Sequence, residues 1–445
     1  MTTLETPREA LQRRPNFDPR LLDIADKVRD GVRLSFEDGM TLYETPDIWT
    51  LGGMAHEVRM RMHGEIAYYN VNRHINYSNV CALSCTFCAF YRKKDQEGAY
   101  EFSIEQIKEE AIKAASGGAT ELHIVGGLHP WLPFDYYTDM MLAIREVAPQ
   151  LHIKAFTAVE IVHLARISKR GKDGVEGYRA VLSELKEAGL GSLPGGGAEV
   201  FDDRVHDEAF KGKIKAFQWL DVHRAAHELG LNTNATMLYG HVESRAERIG
   251  HMLILREQQD ATLRDWAADQ GIALQQATKH DGDQGDAVVL YGNDDAYPNE
   301  RLPMPEHAGG NGYYQTIIPL PFFPDKSELE HLPAPTGLEN LRTLAISRLM
   351  LDNFPHVKAF WIMQSLEMAQ VMLQNGADDI DGTVVWYDIT KLISSDEDDP
   401  THQEVGVFEL QKAIRDAGFE PVERDTLYRK VVRQSDEPTD WRVLD

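Results

Sequence analysis

Three cysteines lie within eight residues of one another, and they are the only cysteines in this chain of 445 residues. Three residues separate Cys81 from Cys85, and two separate Cys85 from Cys88. Thiolates are the usual ligands of iron–sulfur clusters, and a cubane cluster normally takes four of them. The spacing therefore predicts a 4Fe-4S cluster in which one iron has no protein ligand and is open to a small molecule.

Two other uses of three cysteines fit the sequence less well. A structural zinc site usually has four Cys or His ligands in paired short spacings. This chain has no second Cys-x-x-Cys pair, and His74 is the only histidine nearby. A disulfide with one spare thiol fits poorly because we expect a cytoplasmic, reducing location: residues 1–20 have no apolar signal segment, and the chain has no apolar run of spanning length.

The spacing Cys-x-x-x-Cys-x-x-Cys, with Phe87 directly before the third cysteine, resembles the signature of the radical S-adenosylmethionine (SAM) enzymes. The resemblance implies that the open iron binds the amino and carboxylate groups of SAM and that Phe87 packs beside the adenine. SAM is then a co-substrate, and the cluster is the resident cofactor.

Eight short apolar segments alternate with helical stretches from about residue 70 onward. This alternation predicts an α/β fold with a parallel sheet, most simply a (β/α)8 barrel of the TIM type. The predicted strands are Arg73–Asn76, Glu121–Val125, Ile153–Thr157, Leu190–Leu193, Asn234–Leu238, Thr316–Leu320, Val357–Trp361 and Asp379–Val384.

The barrel is predicted to span residues 71–390, between a mainly helical extension over residues 1–70 and a C-terminal extension over residues 391–445. Residues 261–312 interrupt the barrel pattern and are rich in Gly, Asp and Gln. A segment of this length and composition is a poor core element, so we expect residues 265–308 to lie outside the barrel, at its rim or at an interface.

Glycines follow two of the predicted strands, at the end of a barrel where active sites are built. Gly126 and Gly127 allow the backbone to approach a ligand closely, and the resemblance implies that this loop receives the amino group of SAM. Gly196 and Gly197 lie in the run Pro194–Glu199, which predicts that the backbone passes a bulky group. An ordinary tight turn is the alternative for the first pair.

Two carboxylates near these loops are candidates for binding SAM. Glu199 can accept from both ribose hydroxyls, although a glutamate favoured at a helix N-terminus is the alternative explanation. Glu160 is a second candidate for the same role or for orienting the substrate.

Candidate catalytic groups lie after two later strands. His241 can donate to a substrate carboxylate or move a proton, and a structural histidine is nearly as well supported. Asp379 and Asp381 belong to the run Asp378–Thr383, in which carboxylates can share a proton or bind polar groups; a cap and turn is the alternative. The cations of Arg348 and Lys358 can neutralise an anionic substrate, although such single charges are more often structural.

The charge of the chain argues against two classes of partner. It has 46 Lys and Arg against 71 Asp and Glu. Nucleic acids and anionic membranes bind to clustered basic residues, so we expect neither as a partner.

Beyond the cysteines, the sequence resembles the aminofutalosine (aminodeoxyfutalosine) synthase family of the futalosine route to menaquinone. The stretches that carry the resemblance are Arg73–Cys81, Cys85–Phe90, His123–Pro130, Lys154–Ile161, Ser192–Glu199, Asn234–His241, Arg348–His356, Gly376–Thr383 and Pro421–Tyr428.

The family resemblance implies a specific reaction. A 5′-deoxyadenosyl radical adds to the double bond of the enolpyruvyl benzoate, 3-(1-carboxyvinyloxy)benzoate, to give 6-amino-6-deoxyfutalosine, methionine and bicarbonate. It also implies an electron donor such as a flavodoxin or ferredoxin. Sibling enzymes that abstract hydrogen, of the dehypoxanthine futalosine cyclase and FO synthase types, remain an alternative, as does a non-catalytic iron–sulfur electron-transfer protein. The sequence departs from the family pattern at two places. Phe323 stands where that pattern has a histidine, and the segment 261–312 intervenes before the sixth strand.

Overall fold

The structure is a computed structural model that describes residues 17–197, 199–272, 312–383 and 405–444, together with the backbone of three short strands between residues 275 and 303. The described part of the chain begins with three helices, α1 (Leu21–Arg29), α2 (Phe36–Glu44) and α3 (Ile48–His63). Helix α2 is capped at its start, because the Ser35 side chain accepts from the Asp38 N–H and the Asp38 carboxylate accepts from the Ser35 N–H.

Seven parallel strands form the main sheet, in the order β11-β10-β6-β5-β4-β3-β2. The strands are β2 (Asn72–Ile75), β3 (Glu121–Ile124), β4 (His152–Ala155), β5 (Ser192–Leu193), β6 (Asn232–Tyr239), β10 (Tyr314–Pro321) and β11 (His356–Val357). Each of the seven overlaps one of the predicted strands. Strands that are consecutive in this list lie next to each other in the sheet. In this register His74 lies beside His123, and His123 lies beside Lys154.

Strand β12 (Asp379–Gly382) closes the gap between the two edges of this sheet. It pairs in parallel with β1 (Ile66–Asn70), which is separated from β2 by Val71 alone. On its other side, Asp379 forms a single bridge with Lys358, just after β11. The predicted eighth strand is confirmed as far as Gly382, whereas Val384 lies outside the described residues. The fold is therefore an α/β barrel of the TIM type.

Helices cover the outside of the barrel. Their bounds are α4 (Ile104–Ser116), α5 (Phe134–Val147), α6 (Ala158–Ile167), α7 (Val175–Ala188), α8 (Asp203–Ala209), α9 (Ala216–Glu228), α10 (Arg245–Asp269), α11 (Gly337–Met350), α12 (Trp361–Gln364) and α13 (Leu366–Leu373). In α4 the buried residues are Ile107, Ala111 and Ala114, at the spacing of one helical face. Apolar strand residues such as Leu122 and Ile153 are fully buried and join this core.

The C-terminal segment closes the barrel at the amino-terminal ends of the strands. Helix α14 (Val407–Asp416) ends before Gly418, which has a positive φ, and β13 (Glu420–Glu423) then pairs in parallel with β1. The Arg424 side chain donates to the carboxylate of Asp379, the first residue of β12, at 2.7 Å. Strands β14 (Val431–Arg433) and β15 (Trp441–Val443) form an antiparallel pair at the end.

The segment after α10 forms a second, separate sheet. Strands β7 (Gln275–Gln276), β8 (Ala287–Val289) and β9 (Glu300–Pro303) are antiparallel, with β9 in the middle. Helix α10 continues to Asp269 and buries Leu263 and Ala267, so the predicted start of the insertion at residue 261 is too early. Among the described residues, no helix is long and apolar enough to cross a membrane.

Candidate active site

A cavity of about 340 Å³ lies at the carboxyl-terminal ends of the barrel strands. The loop with Cys81, Cys85 and Cys88 forms one wall, and all three cysteines line the cavity. The glycine loops after β3 and β5 line it as well. Parallel barrels build their active sites at this end, because the loops after all the strands meet there.

Main-chain hydrogen bonds hold the cysteine loop in place. The Cys81 N–H donates to the Arg92 carbonyl at 3.0 Å, and the Cys88 N–H donates to the Cys85 carbonyl at 3.1 Å. The Lys93 ammonium donates to the carbonyls of Cys81, Ala82 and Leu83 at 3.1, 3.2 and 2.8 Å. The loop is thus ordered by its own contacts.

The sulfur atoms fit a cluster with one open iron. Burial raises the pKa of the Cys85 thiol to about 11 and also raises the pKa of Cys88, whereas the nearby Lys213 cation lowers both. Thiolates at such buried positions require a bound metal centre, since metal coordination deprotonates thiols. The Leu128 N–H lies 3.4 Å from the Cys81 sulfur and can donate to its thiolate. Three sulfurs on one wall beside an open cavity match the predicted cluster and leave room for SAM.

Phe87 lies in this wall and contacts an ion pair that the sequence analysis missed. Its ring meets the ring of Phe210 edge to face, with centroids 5.2 Å apart. The Lys213 ammonium lies 4.9 Å from the centre of the Phe87 ring and forms an ion pair with the Glu199 carboxylate. Lys213 had no local sequence signal, because its partner lies fourteen residues away in the chain.

Glu199 lines the cavity in an unusual backbone conformation. Its φ is 58°, in the left-handed region that costs a non-glycine residue roughly 1 kcal/mol or more. Its carboxylate faces Lys213, and its predicted contact with the SAM ribose stays a prediction.

The structure gives a packing reason for Gly126 and Gly127. A Cβ atom at Gly126 would lie 2.6 Å from the Tyr77 ring, and one at Gly127 would lie 2.4 Å from the Val80 carbonyl oxygen. The Gly126 N–H donates to the Glu160 carboxylate at 3.0 Å, and the Gly127 N–H donates to the main-chain carbonyl of Ser78, just before the cysteine loop. These glycines let the loop after β3 pack against the cysteine loop, and their contact with SAM stays a prediction.

Glu160 lines the cavity but already accepts four hydrogen bonds. The donors are the Tyr77 hydroxyl at 2.9 Å, the Gly126 N–H at 3.0 Å, and the Thr157 N–H and hydroxyl at 2.7 and 2.8 Å. Burial raises the pKa of Glu160 to about 7, against the effect of these donors. Its contacts fix the start of α6 and the loop after β3, so they favour a positioning role over direct ligand binding.

The glycine run after β5 is also required by close approaches. A Cβ atom at Gly195 would lie 2.6 Å from the Ala235 backbone, and Gly197 has a φ of 127°. The Gly196 carbonyl accepts from the Trp219 indole at 3.3 Å. The run therefore lies against β6, and Gly196 and Gly197 line the cavity, as expected for a loop that contacts a ligand.

His241 does not line the cavity. Its Nε2 lies 3.0 Å from the Leu238 carbonyl, and its Nδ1 lies 3.1 Å from the Glu243 carboxylate. The ring packs between Phe210 and Phe322, and burial lowers its pKa. These contacts favour the structural alternative for His241.

The three carboxylates after α13 separate into two groups. Asp378 accepts from Arg348 and from the Val357 N–H, and it lies below the cavity. Asp379 is fully buried and is paired with Arg424, so it does not reach the cavity. Asp381 does line the cavity, 3.2 Å from the Lys358 ammonium. The structure therefore brings Asp381 but not Asp379 to the cavity, and a catalytic role for either carboxylate stays a prediction.

Comparison with protein families identifies the class. The model of the radical SAM superfamily matches residues 75–254, and the model of the CofH/MqnC C-terminal region matches residues 311–436. Together with the barrel and the three cysteines, these matches define a radical SAM enzyme. The fold agrees with two solved structures, methylornithine synthase (PylB) and the hydrogenase maturase HydG from Carboxydothermus hydrogenoformans. Methylornithine synthase has a TM-score of 0.57 and 16% identity, and the match covers 89% of this chain and 97% of that structure. HydG has a TM-score of 0.61 and 16% identity, and the match covers 92% of this chain and 80% of that structure.

Curated relatives narrow the class further. The chain is 40% identical to the aminodeoxyfutalosine synthase of Thermus thermophilus, over 93% of this chain and 96% of the relative. It is 39% identical to the aminodeoxyfutalosine synthase of Streptomyces coelicolor, over 94% of this chain and 95% of the relative. The cyclic dehypoxanthine futalosine synthase of Streptomyces coelicolor is 30% identical, over 95% and 93%. The chain belongs to the aminodeoxyfutalosine synthase family, and it is a radical SAM transferase with a 4Fe-4S cluster and SAM as co-substrate.

Proposed function

We propose that this enzyme joins the adenosyl group of SAM to 3-(1-carboxyvinyloxy)benzoate in menaquinone biosynthesis. One water molecule is also taken up, and the products are 6-amino-6-deoxyfutalosine, methionine and bicarbonate. The observation that supports this substrate most directly is the identity of 39–40% to two aminodeoxyfutalosine synthases over nearly the full chain, against 30–32% to enzymes with other activities.

The residues of the chain bind, orient and enclose the reactants. When bound, the reduced cluster supplies the electron that cleaves SAM into methionine and a 5′-deoxyadenosyl radical. Phe87 offers an aromatic face beside the cysteines for the adenine, and Glu199 offers carboxylate oxygens at the same wall. Apolar side chains in and just after β10, among them Ile318, Leu320 and Phe322, line another part of the cavity wall. They exclude water, which protects a reactive radical from side reactions.

An isotope label in the ribose of SAM tests the reaction. With protein reconstituted under anaerobic conditions, a reductant and the enolpyruvyl benzoate, we expect the label to appear in the adenosylated product by mass spectrometry. Free 5′-deoxyadenosine should stay a minor product. The Cys85→Ala variant is the matched control and should form neither compound, because it lacks a cluster ligand.

A sibling activity by hydrogen abstraction is the second candidate, because the chain is also 30% identical to a cyclic dehypoxanthine futalosine synthase. In that case the label would accumulate as free 5′-deoxyadenosine in step with turnover, which would contradict the proposed addition. A protein that only transfers electrons would leave SAM uncleaved. We further propose a cytoplasmic location and a flavodoxin or ferredoxin as the electron donor.

A further inference from the structure

The deep end of the cavity carries buried charges that the proposed radical chemistry does not use. His123 in β3, Lys154 in β4 and Asp381 in β12 each lie one residue before the end of their strand, and Lys358 directly follows β11. All four line the cavity, deeper in the barrel than the loops that carry the cysteines. We call these four residues the polar floor.

Two lysines dominate the polar floor, and both are almost fully buried. Lys154 is 3% exposed and Lys358 is 2% exposed. The Lys154 ammonium lies 2.8 Å from the Glu121 carboxylate, and the Lys358 ammonium lies 3.2 Å from the Asp381 carboxylate. Each ammonium has three N–H donors. Within the described ranges, each lysine is ion-paired with one carboxylate at these distances, so N–H donors remain for a ligand.

The charge that reaches the cavity at this depth is positive. The carboxylate of Glu121 and the pair of Asp379 with Arg424 lie below the floor and do not line the cavity. The polar floor has two cations, Lys154 and Lys358, and one carboxylate, Asp381. Burial holds the pKa of His123 well below its ordinary value, so that ring is neutral. Burying two cations is costly unless carboxylates or a ligand compensate for the lost hydration.

The walls above the floor suit an aromatic ring. Val125, Ile318, Leu320, Phe360 and Met363 come from the strands and the loops around the floor. Their side chains present apolar surface between the lysines and the cysteine wall. A planar ring with an anionic substituent matches both parts, since the ring removes apolar surface from water and the anion receives charge-assisted hydrogen bonds.

We propose that Lys154 and Lys358 bind a carboxylate of an aromatic acid substrate at the polar floor. The ring then lies between the floor and the cysteine wall, with its other substituent toward SAM. Lys154 and Lys358 are thereby specificity-determining residues for an aryl carboxylate. The identity of the acid rests on the proposed function, whereas the requirement for an anion rests on the floor itself.

Binding of a matched pair of probes tests the proposal without turnover. We would measure by calorimetry the Kd of 3-methoxybenzoate and of its neutral analogue 3-methoxybenzamide, using anaerobically reconstituted protein with saturating SAM. SAM is included so that its own carboxylate is already bound. The wild type should bind the acid about tenfold or more tightly than the amide. Equal affinities would overturn the proposal.

The Lys358→Gln variant then assigns the preference to the floor. It should bind the amide as the wild type does and lose most of the preference for the acid. Lys215→Gln is the matched control, because Lys215 pairs with Asp203 and Asp207 on the surface. A Lys358→Gln protein that keeps the full preference would overturn the assignment. The double variant Lys154→Gln, Glu121→Gln removes a buried pair together and should lose the preference in the same way.

Failure of this proposal can be told apart from failure of the proposed function. A wild type that forms the adenosylated product but binds acid and amide equally disproves the anion site alone. A wild type that prefers the acid but forms no adenosylated product supports the anion site and disproves the named substrate.

Discussion

The ammonium group of Lys213 is paired with the carboxylate of Glu199 at the wall of the cavity that carries the cysteines. Both side chains are nearly buried, at 11% and 9% exposed. Burial lowers the pKa of Lys213, but Glu199, Cys85 and Cys88 raise it more, so the lysine remains charged. The pair therefore places a fixed positive charge next to two of the three cluster ligands.

Replacing Lys213 by methionine should make the cluster harder to reduce. A nearby cation stabilises the reduced form, which carries one more negative charge, and net charge is one of the factors that set cluster potentials. We expect a fall in midpoint potential on the order of 60 mV, equivalent to a tenfold change in a one-electron equilibrium. Potentiometric titration followed by electron paramagnetic resonance measures it. Lys213→Arg should keep the wild-type potential; a methionine variant with unchanged potential would show that the charge is screened from the cluster.

Glu199→Gln tests the predicted contact with ribose. Loss of a charged acceptor should weaken SAM binding by about 1.5–3 kcal/mol if the carboxylate accepts from the ribose hydroxyls. Methionine alone has no ribose and should bind the variant as it binds the wild type. Equilibrium dialysis with labelled SAM and labelled methionine distinguishes the two ligands. Equal losses for both ligands would mean that Glu199 acts only through Lys213 and the shape of the wall.

The sequence predicted the barrel well because its strands are short apolar segments in strict alternation with helices. It did not predict β1 or β13, since the pairing of Ile66–Asn70 with Glu420–Glu423 joins segments far apart in the chain. The insertion was predicted to begin at residue 261 from its Gly, Asp and Gln content, whereas α10 continues to Asp269 with Leu263 and Ala267 among its buried positions.

The candidate site was predicted unevenly for a physical reason. Clustered cysteines and loop glycines have few roles, so their spacing alone predicts that they lie at the site. The structure brings both to one cavity. Carboxylates and histidines have many structural roles, and only their partners decide among them. Asp379 faces Arg424, a partner that cannot be identified from local sequence. His241 faces Glu243, two residues further on, but the sequence does not show that this contact and the Leu238 carbonyl hold the ring away from the cavity. Lys154 and Lys213 were missed because their counterions lie on other elements.

Buried histidines should make the fold sensitive to acid. Burial lowers the pKa of His152, His227 and His251 to about 3, from an ordinary value of 6.5. Below about pH 6.5 the unfolded chain takes up protons that the folded chain does not, so stability is full above that pH and falls as pH decreases. Each histidine should lower the free energy of unfolding by about 1.4 kcal/mol per pH unit, down to its folded pKa.

The variant His251→Gln isolates one of these contributions. His251 contacts the Thr236 carbonyl and the Phe201 N–H through its two ring nitrogens, and a glutamine amide offers a donor and an acceptor without titrating. Urea denaturation at about pH 7.5 and at about pH 5.5 should show a loss of stability that is smaller by about 1.4 kcal/mol over the whole interval, because proton uptake by the unfolded chain begins only near pH 6.5. His331→Gln, at an exposed position, should keep the wild-type slope. An unchanged slope for His251→Gln would show that the buried ring is protonated.

Removing the segment between α10 and β10 should leave the barrel and its cluster intact. In the part of the segment that the structure describes, the small sheet β7-β9-β8 makes no strand pairing with the parallel sheet, whereas α10 is needed as far as Ala267, which is buried. We would therefore join Gly271 to Gly312 through a short Gly/Ser linker, which keeps the Gly312 N–H bonded to Asn232. Circular dichroism should show an unchanged helical signal for the barrel, and iron analysis should give about four irons per chain, as for a cubane cluster. A deletion variant that aggregates, or that folds without binding iron, would show instead that residues 272–311 support the barrel, contrary to their composition.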